Sequence, residues 1–210
     1  MAAPGWTAGS RRFPGFDVLD LESTWDAATA KVVLSRLGTP ADIRFFTPAE
    51  EAAGRALCDR LLAQDAEPSV PVLDFIDARL AEGQTDGWRY QDMPEDGQAW
   101  RHSLAYLDED AQVKFGQLFA ECPASDQRAL IQAVQDTAPG RWHDLNAAHV
   151  WSLWTRYACT AFYAHPHAWS EIGFPGPAYP RGYKNPGVDA REPFEVRDAA
   201  PSDDPVRDTA

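Results

Sequence analysis

The strongest constraint on the fold is a long apolar stripe in the last third of the chain. Apolar side chains there recur every three to four residues, which is the period of one helical face. The stripe consists of Ala147, Val150, Trp151, Trp154, Tyr157, Ala158, Ala161 and Phe162. Helical spacing of large rings is typical of core packing. The sequence therefore predicts that this is the longest helix of the chain, that Asn146 is its N-cap, and that its stripe is buried.

Helix start signals recur along the rest of the chain. Thr47, Pro48 and Glu50 form a capping box with a proline in the first turn, which predicts a helix ending near Gln64. Other helices are predicted at residues 26–37, 69–80 and 94–107, from Asp108 as a cap to before Pro123, and from Ser125 as a cap. Strand signals are scarce. We therefore expect an all-α fold, a compact bundle of about six or seven helices with an aperiodic C-terminal extension.

The charge balance excludes several classes of partner. The chain of 210 residues carries a formal net charge of −13, which argues against binding to nucleic acid or to an anionic membrane. No stretch approaches the ~18 apolar residues that a membrane span needs, so we expect no direct membrane insertion. The three cysteines are too few and too scattered for a disulfide framework or a structural zinc site.

Residues 165–183 differ in character from the predicted helices. This segment of nineteen residues holds four prolines and three glycines, interleaved with aromatic residues, so neither a helix nor a sheet is expected to run through it. Such a segment gains order by packing its rings on its own helices or on a partner. Aromatic residues and arginine dominate binding hot spots. The predicted partner-binding residues are Trp169, Glu171, Phe174, Pro177, Tyr179, Arg181 and Tyr183. For Arg181, an intramolecular salt bridge is the open alternative.

Histidines and acidic clusters in the chain are candidate metal ligands and catalytic carboxylates, and each also has a structural alternative. His165, His167 and Glu171 could bind zinc or iron, with a further ligand from His143 or His149, but filling and hydrogen bonding a turn is the alternative. The acidic clusters at residues 95–96 and 108–110 could be paired catalytic carboxylates. Acids at helix starts stabilise the exposed N–H groups, and we expect that role for both clusters.

Motifs for cofactor chemistry are absent from the sequence. There is no Gly-x-Gly-x-x-Gly, no phosphate-binding loop, no Gly-x-Ser-x-Gly and no Cys-x-x-Cys-His. We therefore expect that this chain binds no flavin, nicotinamide or covalent haem, and we assign it no catalytic residue.

Several motifs together resemble one family. They are Phe45-Phe46-Thr47-Pro48-Ala49-Glu50, Asp74-Phe75-Ile76-Asp77, Phe119 with Gln127, Phe162-Tyr163-Ala164-His165-Pro166, Trp169, and Ile172-Gly173-Phe174-Pro175-Gly176-Pro177. Over residues 44–184 the chain resembles the gluconate 2-dehydrogenase subunit 3 family, the small non-flavin subunits of membrane-associated sugar and sugar-acid dehydrogenases. The aromatic, proline and glycine segment is its most specific part.

The resemblance implies an all-α accessory subunit that supports maturation, stability or export of a large partner. That partner would be an FAD-dependent flavoprotein of the glucose-methanol-choline type, and a cytochrome subunit often takes the electrons. Two alternatives remain open at this stage. One is a stand-alone metal-dependent enzyme that uses His165, His167 and Glu171. The other is a chaperone that leaves its flavoprotein after folding.

The resemblance also guides the expected organisation and location. We predict an N-terminal arm with one helix at residues 1–43, the accessory-subunit domain at 44–184, and an extended or disordered tail at 185–210. Family members often carry a twin-arginine signal, but after Ser10-Arg11-Arg12-Phe13 the chain continues with acids and a Pro-Gly pair instead of an apolar stretch. The family's Ile-Pro-x-Asp turn is also replaced, by residues 61–66. We expect a cytoplasmic location, with periplasmic export alongside a partner as the alternative.

Overall fold

The computed structural model describes residues 12–66, 69–185, 187–188 and 190–202. The chain divides into two compact units. Unit 1 combines Met1–Thr39 with Tyr163–Ala210, and unit 2 is Pro40–Phe162. The first residues of the twin-arginine motif and the end of the predicted tail lie outside the described residues. The domain boundaries predicted from the sequence remain predictions.

Helices dominate the described residues, and the predicted all-α fold is confirmed. The α-helices in chain order are α1 (Ala27–Ser35), α2 (Pro48–Leu61), α3 (Val72–Ala81), α4 (Asp96–Phe115), α5 (Ala124–Thr137), α6 (Ala147–Phe162) and α7 (Pro166–Ile172). Short 3₁₀ helices cover Val18–Thr24 and Phe119–Glu121. The strands β1 (Arg141–Trp142) and β2 (Leu145–Asn146) pair antiparallel just before α6. None of the helices in the described ranges is long and apolar enough to cross a membrane.

The apolar stripe of α6 lies in the core of unit 2, as predicted. Trp154 and Tyr157 are buried, and Trp151 is half-buried. The indole Nε1 of Trp154 donates a hydrogen bond of 2.9 Å to Ser103 Oγ on α4. The buried N–H group of this indole therefore has a hydrogen-bond partner. Asn146 caps the helix, because its Oδ1 accepts from the backbone N–H of Ala148.

Helix α4 corrects two sequence predictions. It is one helix of 20 residues, where the sequence predicted two helices divided at Asp108, and it is longer than α6 with 16 residues. Asp108 lies inside α4, and its carboxylate accepts from the backbone N–H of Phe119 at 2.9 Å. It therefore stabilises the start of the following 3₁₀ helix. Gly116, with φ of 72°, ends α4 in the left-handed conformation.

Two further expectations were wrong in detail. Helix α5 begins at Ala124 without a side-chain cap, so Ser125 is not its cap. Helix α7 forms inside the segment where no helix was expected, because Pro166 suits its first turn and His165 caps it. The β1–β2 hairpin is too short to show alternation in the sequence.

A buried carboxylate fixes the entry to α2. Asp77 on α3 is 1% exposed and accepts hydrogen bonds from the backbone N–H groups of Arg44 (2.8 Å), Phe45 (2.8 Å) and Phe46 (3.0 Å). These bonds fix the chain where it enters the capping box of Thr47 and Glu50, which the structure confirms. One side chain on α3 thus determines where α2 begins.

We expect Asp77→Ala to lower the free energy of unfolding by about 3 kcal/mol, because three backbone donors lose their charged acceptor and the bond from Phe46 is buried. Urea unfolding followed by circular dichroism measures the change. The matched control is Asp136→Ala on the exposed side of α5, which should change stability by less than ~0.5 kcal/mol. Equal effects of the two substitutions would contradict this account.

Unit 1 has its own small core. Val18, Trp25, Val33 and Trp169 pack together, which joins the 3₁₀ helix, α1 and α7. The backbone N–H of Val18 donates to Ser170 Oγ at 3.1 Å. This core is the support from which the residues after α7 extend.

Candidate functional site

The candidate site is the irregular stretch at residues 174–183, which we call the aromatic segment. It follows α7 and exposes three rings: Phe174 is 39%, Tyr179 68% and Tyr183 54% exposed. Pro175 is buried and Pro177 is half-buried. The segment thus buries Pro175 and exposes its three aromatic rings together with Pro180.

Trp169 occupies a different environment from these rings. It is 6% exposed, and its Nε1 donates a hydrogen bond of 2.6 Å to the carbonyl oxygen of Tyr163. Phe174 packs edge-on against it with 5.5 Å between ring centroids. Trp169 therefore supports the surface from inside unit 1. Its ring does not lie on the surface with the other predicted partner-binding residues.

Arg181 holds the aromatic segment to the N-terminal part of unit 1. Its Nη1 donates to Thr24 Oγ1 at 2.7 Å, and its Nη2 donates to the carbonyl oxygen of Pro175 at 2.5 Å. Its guanidinium carbon lies 3.8 Å from the ring centroid of Phe194, a cation–π contact. Partial burial lowers the pKa of Arg181. These contacts are intramolecular, as in the alternative that the sequence left open. Their acceptors are a hydroxyl and a carbonyl, however, and not the carboxylate that a salt bridge requires.

Two glycines allow the segment to pass close to the core. Gly173 and Gly176 have φ of 69° and 74°. A Cβ on Gly173 would lie 2.5 Å from the ring of Phe13, and one on Gly176 would lie 2.9 Å from the ring of Trp25. Both the conformation and the lack of space require glycine at these two positions.

A buried glutamate closes the far end of the segment. Glu192 is 5% exposed and accepts from the backbone N–H groups of Lys184 and Asn185, the latter at 2.5 Å. These bonds, above all the one from Asn185, hold the pKa of Glu192 below its usual value. Further along, Asp198 pairs with Arg12. The described residues at 190–202 have no helix or strand. Side chains nevertheless hold them to other parts of unit 1.

The predicted metal ligands are engaged with one another and with backbone. His165 Nδ1 accepts from the N–H of His167 at 3.2 Å, and His167 Nε2 lies 3.1 Å from Glu171 Oε1. His143 and His149 belong to unit 2, where each lies within hydrogen-bond distance of an aspartate. Within the described parts of the chain, no three His, Cys, Asp or Glu side chains are grouped so that they could hold a metal ion.

The two acidic clusters differ in position. Residues 95–96 lie at the start of α4 as predicted, but Glu95 makes no side-chain cap hydrogen bond there. Asp96 Oδ2 accepts from the hydroxyl of Tyr157 at 2.7 Å. Residues 108–110 lie within α4, so the predicted helix-start role is wrong for them. Asp110 Oδ2 accepts from Trp142 Nε1 at 2.7 Å and so holds the β1–β2 hairpin to α4.

A comparison with known families shows to which family this chain belongs. Residues 48–176 match the family described as Gluconate 2-dehydrogenase subunit 3. The chain belongs to this family. The match runs from the start of α2 to Gly176 within the aromatic segment, and the resemblance seen in the sequence is confirmed. Gluconate 2-dehydrogenase subunit 3 proteins are accessory subunits, which implies a multi-subunit dehydrogenase complex. No curated protein and no solved structure matched the chain.

Sequence reasoning missed the residues that hold the aromatic segment. Thr24 and Trp25 lie far from it in sequence, while Glu192 follows it closely, and none of the three shows a local pattern that would predict these contacts. Only the glycines gave a signal, since each was a marker of an unusual backbone position.

We expect His165 to make unit 1 less stable in acid. Burial, together with the charges of His167 and Arg36, lowers the pKa of His165 to about 4 in the folded chain, against an ordinary value near 6.5. The unfolded chain therefore takes up the proton first as the pH falls. Stability is lost between about pH 6.5 and 4, at no more than about 1.4 kcal/mol per pH unit from this group.

The variant His165→Asn keeps an acceptor for the N–H of His167 but does not titrate. Its thermal unfolding temperature should fall less than that of the wild type between pH 7 and 4.5. The control is His102→Asn at an exposed position in unit 2, which should follow the wild-type curve. Parallel curves for His165→Asn and the wild type would contradict this prediction.

Proposed function

We propose that this chain is a non-catalytic small subunit that binds and stabilises a large flavin-dependent dehydrogenase of the glucose-methanol-choline type, acting on sugars or sugar acids. The observation that carries this proposal is the rigidly held aromatic segment of unit 1. Membership of the gluconate 2-dehydrogenase subunit 3 family supports the class of partner.

The aromatic segment has the physical properties of a protein-binding surface. Exposed rings at Phe174, Tyr179 and Tyr183 offer large apolar area, and tyrosine adds a hydroxyl that can form a hydrogen bond. Contiguous exposed rings are typical of interaction sites. Because Arg181 and Glu192 hold the backbone in the single chain, less conformational entropy is lost when a partner binds.

The rest of the proposed complex follows from the same family. In this proposal FAD is bound by the large subunit and this chain holds no cofactor of its own. A cytochrome subunit is the proposed acceptor of the electrons. The proposed location of the complex is the cytoplasm, and export to the periplasm with the partner is the competing location.

We expect Tyr179→Ala and Tyr183→Ala each to weaken binding to the large subunit at least about tenfold, which corresponds to ~1.4 kcal/mol. Both rings are more than half exposed, so their removal should leave the fold unchanged. Titration of the purified large subunit by the small subunit measures affinity, and circular dichroism checks the fold.

The matched control is Trp88→Ala, which removes a ring of similar exposure (51%) from unit 2. It should leave binding unchanged. Loss of binding in Trp88→Ala, with normal binding in the two tyrosine variants, would place the partner on unit 2 and contradict the proposal. Release of the small subunit after the flavoprotein has matured would instead favour a transient chaperone.

A further inference from the structure

Two arginines in unit 2 share one carboxylate from a loop. Arg79 near the end of α3 and Arg156 on α6 both form ion pairs with Asp86. Their guanidinium carbons lie 4.7 Å and 5.2 Å from the ring centroid of Tyr157. The two cations therefore lie beside the same ring, with a single aspartate between them.

Asp86 belongs to an exposed loop that contains two glycines. All residues at 81–92 are exposed. Gly83 and Gly87 flank the aspartate with φ of 65° and 75°, and the space where a Cβ would stand is open at both. Glycine gives the backbone on either side of Asp86 a wide range of accessible torsion angles.

The hydrogen-bonding capacity of the arginines exceeds what Asp86 supplies. The Nε of Arg156 is buried, and within the described chain no hydrogen-bond acceptor reaches it. Asp96 Oδ2 lies 3.5 Å from Arg156 Nη2, and it already accepts from Tyr157. Burial and the charge of Arg79 lower the pKa of Arg156, so this pair of cations would be stabilised by an additional acceptor.

An open pocket shares Trp88 and Asp96 with the surroundings of Arg156. Its volume is about 370 Å³, within the range of small-molecule sites. It is lined by Thr85, Gly87, Trp88, Arg89, Glu95 and Asp96. Trp88 lines this pocket and also contacts Arg156, since its ring centroid lies 5.0 Å from the guanidinium carbon of Arg156.

We propose that Arg79 and Arg156 form a binding site for a small organic carboxylate, and that Asp86 occupies this site when the ligand is absent. The incoming carboxylate replaces Asp86 between the two guanidinium groups, which match its planar geometry. The body of the ligand fills the pocket beside Trp88. Glu95 and Asp96 on the pocket wall repel a doubly charged phosphate more strongly than a singly charged carboxylate. This site is separate from the proposed partner-binding segment and does not rest on the proposed function.

Benzoate is a suitable probe, because it combines a carboxylate with a ring that can stack on Trp88. Titration of the ¹⁵N-labelled chain should give saturable chemical-shift changes at the amides of Gly83, Gly87 and Trp88. Asp86→Asn should bind benzoate about tenfold more tightly than the wild type, because an intramolecular competitor is removed. Asp136→Asn makes the same change in charge on the exposed side of α5 and should bind like the wild type.

Arg156→Lys in the Asp86→Asn background tests the geometry of the site. Lysine keeps the charge but loses the planar fork, so benzoate affinity should fall at least about tenfold. The proposal is overturned if Asp86→Asn shows no saturable changes at these amides, or if chloride at equal ionic strength reproduces them. It is also overturned if Arg156→Lys binds benzoate as tightly as the Asp86→Asn chain. Should Arg156→Lys alter amide shifts throughout unit 2, Arg79→Lys provides the same comparison.

Discussion

The hold of Arg181 on Thr24 and Pro175 is the contact on which the candidate surface depends. A segment with three prolines among ten residues lacks the N–H donor at each proline and cannot order itself through a helix or a sheet. Side chains must therefore fix its path. The guanidinium provides bonds in two directions at once and packs on Phe194, while Gly176 lets the chain lie against Trp25. These contacts fix the backbone of the segment and thereby the positions of its exposed rings.

Unit 2 uses carboxylates for a related purpose. Asp77 accepts hydrogen bonds from three backbone N–H groups just before α2. Asp108 accepts one from the first residue of the 3₁₀ helix that follows α4. Glu192 does the same for the end of the aromatic segment in unit 1. In this acidic chain a part of the negative charge thus orders irregular backbone between helices. Charged acceptors are suited to that task because their hydrogen bonds are stronger than neutral ones.

The sequence predicted features that depend on near neighbours. The capping box before α2, the Asn146 cap and the stripe of α6 each involve residues within a few positions or helical turns, so their patterns are visible directly. The division of α4 at Asp108 was wrong because an aspartate that can cap a helix can also bond to a distant backbone group. The contact of Arg181 with Thr24 could not be predicted for a different reason. Thr24 lies 157 positions away, and no local pattern connects the two residues.

We propose that the exposed rings of the aromatic segment bind the large subunit. Hydrogen–deuterium exchange of the small subunit, measured alone and in the co-purified complex, tests it most directly. We predict that complex formation slows exchange at residues 178–185 and leaves the loop at residues 82–92 unchanged. Slower exchange confined to unit 2, with residues 178–185 unaffected in a stable complex, would contradict the claim.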